Sequence, residues 1–187
     1  MSGVGPVRFE RMAVLGMGLL GGSVSLAARS RGTVSRVAAA SRTRSRLELA
    51  KQRGIVDEVG SVAEVVRGAD LVVLGSPVEA MPNLVREAAP HLRAGALVTD
   101  VGSVKACLAE TLPVLLPAGV SYIGSHPMAG SHEQGALNAR EDLFEGAVCV
   151  VTPKSGAPCE RLEDLEGFWS DLGAVVLRRS PAVHDAE

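Results

Sequence analysis

Short apolar runs that stop on glycine or proline alternate along this chain with stretches whose apolar residues recur every three or four positions. The first run is "RMAVLG" (Arg11 to Gly16), and the pattern predicts a strand there. "LLGGSVSLAARSRG" follows, with Leu20, Val24, Ala27 and Ala28 at helical spacing and Gly32 as the stop. "SRVAAAS" (Ser35 to Ser41) predicts a second strand, "TRSRLELAKQRG" a charged amphipathic helix ending at Gly54, and "SVAEVVRG" a short helix with a serine cap. The rhythm continues. Strands are predicted at "ADLVVLGSP" (Ala69 to Pro77), "GALVTDVGS", "SYIGSHP", "AVCVVTP" and "AVVLRR". Helices are predicted over residues 79–90, "VKACLAETLPVLL" and "CERLEDLEGFWSDLG". Residues 1–10 read as a weakly ordered leader. Alternating strands and helices predict an α/β chain with a mostly parallel sheet and helices on both faces.

Composition narrows this picture. At 187 residues, 47% hydrophobic and 21% charged, the chain has material for one sizeable domain. Aromatics make up 3%, so an aliphatic core is expected, which suits a parallel sheet buried on both faces. The net charge of −2, with both signs interspersed, argues against a nucleic-acid partner. Cys107, Cys149 and Cys159 form no CxxC pair, so neither a disulfide framework nor zinc is expected, and the cytoplasm is the default compartment. No window approaches ~20 apolar residues, so no membrane span is expected.

The chemistry starts at "VLGMGLLGGS" (Val14 to Ser23). A strand, then G-x-G-x-x-G, then a helix is the context a dinucleotide fingerprint requires, and it makes the expected fold a Rossmann-type doubly wound sheet. Gly16 permits a tight turn, Gly18 lets a pyrophosphate approach the backbone, and Gly21 lets helix and strand pack closely. Met17, Leu19 and Leu20 belong to the same turn, where free N–H groups and the positive end of the helix dipole favour phosphate. The second strand ends without the carboxylate that would bind an NAD ribose. It runs instead into Ser41, Arg42, Thr43 and Arg46. A hydroxyl and guanidiniums suit a 2′-phosphate, so NADP is the expected cofactor, with NAD the alternative and a solvated arginine face the plainer reading.

Ligands in such sheets bind beyond the carboxyl ends of the strands. Polar turns are expected there at "GSP" (Gly75 to Pro77), at "DVGSVK" (Asp100 to Lys105) and at "GSHPMAGS" (Gly124 to Ser131), with Ser76, Pro77, Asp100 and Gly102 expected at the cofactor. His126 is the expected catalyst, because a neutral imidazole is a good base near pH 7. Ser103 could bond the substrate hydroxyl, orient His126 or cap the next helix. Lys105 could face cofactor or a substrate carboxylate, or be a solvated first-turn lysine. Gly130 and Ser131 are expected on the substrate side. His91, His132 and His184 carry weaker signals, and no histidine has metal-ligand spacing with a carboxylate helix.

Taken together, "GMGLLGGS", "GSP" at Gly75, "DVGSVK" at Asp100, "HPMAG" at His126 and "DLFEGAVCVVTP" at Asp142 resemble the prephenate/arogenate dehydrogenase family, in the family's order. The resemblance implies oxidative decarboxylation in tyrosine biosynthesis, with substrate C4 giving hydride to the nicotinamide. It implies that His126 hydrogen-bonds the 4-hydroxyl and that Ser103 assists. It also implies a small-molecule substrate, and a homodimer formed through a C-terminal helical domain that this chain does not contain. Residues 1–180 are then expected to form the dinucleotide-binding domain and 181–187 the start of a linker. A non-catalytic nucleotide-binding module and a related hydroxyacid dehydrogenase are the rival readings.

Overall fold

A computed structural model describes residues 7–129, 138–154 and 161–187. Strands β1 (Phe9–Leu15), β2 (Val34–Ala40), β3 (Glu58–Val59), β4 (Leu71–Leu74), β5 (Leu97–Asp100) and β6 (Ser121–Tyr122) form a six-stranded sheet in the order β3-β2-β1-β4-β5-β6. Every pairing in it is parallel, so all its carboxyl ends share one edge. The crossovers carry α1 (Leu19–Ser30), α2 (Arg44–Gln52), α3 (Val62–Val66), α4 (Met81–Ala88) and α5 (Ala106–Thr111). Ser61 caps α3 through the Glu64 N–H, and the Glu64 carboxylate returns a bond from the Ser61 N–H at 2.8 Å, a capping box.

Alternation along the strands sends residues to two separate cores. Met12 and Val14 of β1 face one, Ala13 and Leu15 the other. The buried members of the core under α3 and α4 are Ala, Val, Leu and Met, as the composition predicts, with Tyr122 packed at its margin. The opposite core differs. It gathers the three phenylalanines and the single tryptophan, Phe9, Phe144, Phe168 and Trp169, all 0% exposed. Their rings meet edge to face, with centroids 5.4–5.9 Å apart.

That aromatic cluster joins the first sheet to a second one. "SYIGSHP", expected as one strand, is two. Past β6 the chain crosses Ile123 and enters β7 (Gly124–Pro127). β7 pairs antiparallel with β8 (Val148–Thr152), which pairs parallel with β9 (Val175–Arg178). α6 (Leu162–Asp171) connects the last two strands, burying Leu165, Phe168 and Trp169. The tail expected to begin a linker contains a helix, α7 (Pro181–Ala186). It is capped by Ser180 and packs on α5. No helix among the described residues is long and apolar enough to cross a membrane.

Candidate active site

The glycine turn after β1 is shaped by what would collide with a side chain. Gly16 has φ +115°, and a Cβ there would lie 2.6 Å from the Gly75 carbonyl carbon and the Ser76 nitrogen. At Gly21 a Cβ would lie 2.1 Å from the Gly16 carbonyl oxygen. These positions weld β1, α1 and the turn after β4 together with no room for a methyl group. Gly18 is the opposite case: nothing stands within 4 Å of where its Cβ would be. It is the N-cap of α1, no side chain caps it, and the first turn carries no acid. Free N–H groups beside open space are what a pyrophosphate needs.

A cleft of about 600 Å³ opens from this turn along the carboxyl ends of β1, β2 and β4. Gly16, Met17, Gly18, Ser41, Arg42, Thr43, Arg46, Ser76 and Pro77 all line it. Leu19, Leu20 and Gly21 do not; they lie in the first turn of α1, where Leu20 packs against the core and Gly21 is buried against the Gly16 carbonyl. Arg44 reaches toward Glu48 at 3.6 Å, whereas Arg42 and Arg46 hold no ion pair among the described residues. Sequence reasoning missed the far wall, Gly60 to Val62 with Leu84 and Glu87. The capping motif at Ser61 was legible, but only the pairing of β3 with β2 brings it to the cleft. That motif also holds Glu64 to the Ser61 N–H and hydroxyl, both at 2.8 Å, which lowers its pKa.

Beyond the carboxyl end of β5 the construction is different. Asp100, expected at the cofactor, turns inward and is fully buried. Its carboxylate accepts from the Gly102 N–H (2.9 Å), the Tyr122 hydroxyl (2.8 Å), the Ser125 N–H (3.3 Å) and the Lys105 ammonium. Lys105 is also fully buried, so neither the solvated nor the ligand-facing reading holds for it. Its Nζ donates to the Ser125 carbonyl oxygen at 2.8 Å as well as to Asp100. Burial pulls the ammonium below its ordinary pKa while Asp100 opposes the shift. Burial and the same carboxylate push the Tyr122 phenol well up, so it stays a donor. The Ser125 hydroxyl donates to the Asp100 carbonyl at 2.5 Å. β7 is thereby pinned to the end of β5, and Ser125 points inward while the next residue, His126, points out.

His126 is half-buried. Its Nδ1 lies 2.9 Å from Nε2 of His184 on α7, with the two rings edge to face. Burial lowers its pKa, helped by His184 and Lys105 and opposed by Asp100 and Asp185. A neutral ring at pH 7 follows. Ser103 is exposed, and His184, not Ser103, is the hydrogen-bond partner of His126 among the described residues. Ser103 does not cap α5 either. The N-cap is Lys105, and Asp185 of α7 accepts the Lys105 and Ala106 N–H groups at 2.8 Å each. Gly102 is wedged, with Val78 2.9 Å from where a Cβ would sit. Gly130 and Ser131 lie outside the described residues.

A parallel sheet of this strand order, with a glycine turn opening the helix after its first strand, defines a dinucleotide-binding domain of the doubly wound class. Residues 24–178 match the family model for the nucleotide-binding domain of prephenate dehydrogenase. The chain belongs to that family. It is 30% identical to the prephenate dehydrogenase of Bacillus subtilis, over 94% of this chain and 48% of that protein. It is 29% identical to the cyclohexadienyl dehydrogenase of Zymomonas mobilis, over 95% of this chain and 60% of that protein. The structure superposes on Synechocystis arogenate dehydrogenase with a TM-score of 0.86 and 35% identity, covering 94% of this chain and 61% of that one. It superposes on Aquifex aeolicus prephenate dehydrogenase, solved with hydroxyphenyl propionate and NAD+, with a TM-score of 0.87 and 29% identity, covering 94% of this chain and 62% of that one. The chain thus spans about half the length of the relatives it matches.

Proposed function

We propose that this chain is the NADP-binding half of an enzyme that oxidatively decarboxylates prephenate or arogenate. The reading is carried by a cleft lined by the glycine turn and by Ser41, Arg42, Thr43 and Arg46, together with a polar network beyond the end of β5 that pins the strand bearing His126. The empty space at Gly18 and the uncapped start of α1 fit a pyrophosphate, and two arginines without an ion pair among the described residues fit a 2′-phosphate better than a 2′-hydroxyl. The nicotinamide, when bound, supplies the hydride acceptor. His126 takes the proton of the 4-hydroxyl as C4 loses hydride and becomes a carbonyl. The ring carboxylate then leaves as CO2, its bonding pair completes the aromatic ring, and the new phenolate oxygen recovers a proton. Aromatisation drives the sequence, so the protein's task is to orient two ligands and accept one proton. Ser103 is exposed, and its proposed role is a hydrogen bond to the substrate hydroxyl rather than to His126.

Titration with NADPH and NADH, followed by assay of prephenate and arogenate oxidation for this chain and for any longer polypeptide containing it, tests the reading. Preference for NADPH with turnover of either substrate supports it. Nucleotide binding with turnover of neither leaves a nucleotide-binding module only, and a clear preference for NADH removes the 2′-phosphate assignment.

A further inference from the structure

Three side chains from distant parts of the chain are strung in one line. Asp185 Oδ1 lies 2.8 Å from Nδ1 of His184, and His184 Nε2 lies 2.9 Å from Nδ1 of His126. The direction of the protons along this line follows from its far end. Asp185 accepts the backbone N–H groups of Lys105 and Ala106, one on each oxygen. Those bonds, with burial working against them, hold its carboxyl below the ordinary range, so it is an acceptor and nothing else. His184 Nδ1 must therefore carry a hydrogen. In the neutral ring its Nε2 is then a lone pair, and the nitrogen facing that lone pair, His126 Nδ1, must carry a hydrogen too. One nitrogen is left over: Nε2 of His126, whose lone pair has no partner among the described residues.

We propose that Asp185 and His184 are positioning residues that set the tautomer of His126, leaving Nε2 as the nitrogen that accepts a proton. The relay also serves the product of that step. An imidazolium at His126 keeps its Nδ1–H bond to His184, and Asp185 stands behind as the countercharge. The other charged groups near His126, Lys105 and Asp100, are spent on each other. Because Asp185 is anchored by the first turn of α5, the turn that follows the Asp100–Lys105 network also orients the relay. The value of the relay to catalysis rests on the function proposed above; the tautomer itself does not.

Long-range 1H–15N spectra of the chain, recorded where both rings are neutral, read the tautomer directly. The wild type is expected to show a protonated Nδ1 and a bare Nε2 at His126. His184→Gln keeps an amide oxygen near the place of Nε2 and is expected to preserve that pattern. His184→Phe removes the acceptor and is expected to move more than about half of His126 to the Nε2–H form, which the isolated side chain favours. Unchanged amide spectra and unchanged NADPH affinity show that a variant has folded. In a turnover assay His184→Phe is expected to lower kcat by about tenfold or more with KM little changed, and His184→Gln to recover much of the loss. A wild-type His126 protonated at Nε2, or a His184→Phe spectrum identical to wild type, overturns the proposal. If the spectra behave as expected but no form oxidises prephenate or arogenate, the tautomer assignment stands and the proposed function fails.

Discussion

The glycine turn after β1 and the Asp100–Lys105 network after β5 lie at the same edge of one sheet, yet they are made of different things. The first is backbone and empty space: a Cβ at Gly21 has nowhere to go, and a Cβ at Gly18 meets nothing. The second is side chains, an ion pair with no solvent contact and a phenol and two N–H groups closing around the same carboxylate. The turn is formed by residues within six positions of one another, closed against Gly75 and Ser76. The network needs residues from four separate elements. A turn made from backbone is robust to side-chain change but intolerant of any added atom. A histidine held in place by side chains is adjustable in its chemistry but depends on every partner staying in place.

The sharpest way to break the comparison is at Lys105. Removing one partner of a buried ion pair strands the other charge, so Lys105→Met is expected to cost about 3–5 kcal/mol in chemical denaturation. Adding Asp100→Asn is expected to recover a good part of that loss, a coupling that a double-mutant cycle measures directly. Next comes the turn. Gly21→Ala forces a methyl group onto the Gly16 carbonyl and is expected to cost about 1–3 kcal/mol by thermal unfolding, with nucleotide binding lost in titration. Smaller still is the contribution of Arg42 and Arg46, whose substitution by alanine is expected to weaken NADPH about tenfold each while leaving NADH nearly unchanged.

The smallest effect is in pH. The folded state holds a proton on His126 less well than the unfolded chain does, chiefly because the ring is buried. The contribution of this ring is therefore complete above the ordinary imidazole value of about 6.5 and is lost as pH falls from there through the depressed folded value. Wild type should lose stability between about pH 7.5 and 5.5 more steeply than His126→Gln; equal slopes would show that the imidazole is not shifted.

Much of the first region is legible in the amino-acid sequence. Apolar runs closed by glycine place β1, β2 and β4, because a strand buried on both faces is a local pattern. The spacing of Gly16, Gly18 and Gly21 is local too, and Ser41 to Arg46 follow directly on β2. The second region is legible only in part. His126 stands out because glycine and proline surround it, but the break at Ile123 that moves it into another sheet has no local mark. Lys105 follows Ser103 and Val104 in a polar turn, and nothing in that stretch says the ammonium points inward; its reason is Asp100, buried beside it. Aromatic scarcity predicts an aliphatic core, yet four of the five aromatics are gathered on one face to join the two sheets.

His184 shows where the division falls. Its neighbours in the chain suggest a linker, and its neighbours in space are His126 and the first turn of α5. By itself the sequence determined the alternation of strands and helices, the glycine turn, arginines rather than a carboxylate after β2, and a histidine in a polar turn. Those depend on backbone conformation and residues close in the chain. The tertiary structure alone decided which nitrogen of that histidine is bare, because a tautomer is settled by what faces the other nitrogen, and here that is a residue 58 positions away.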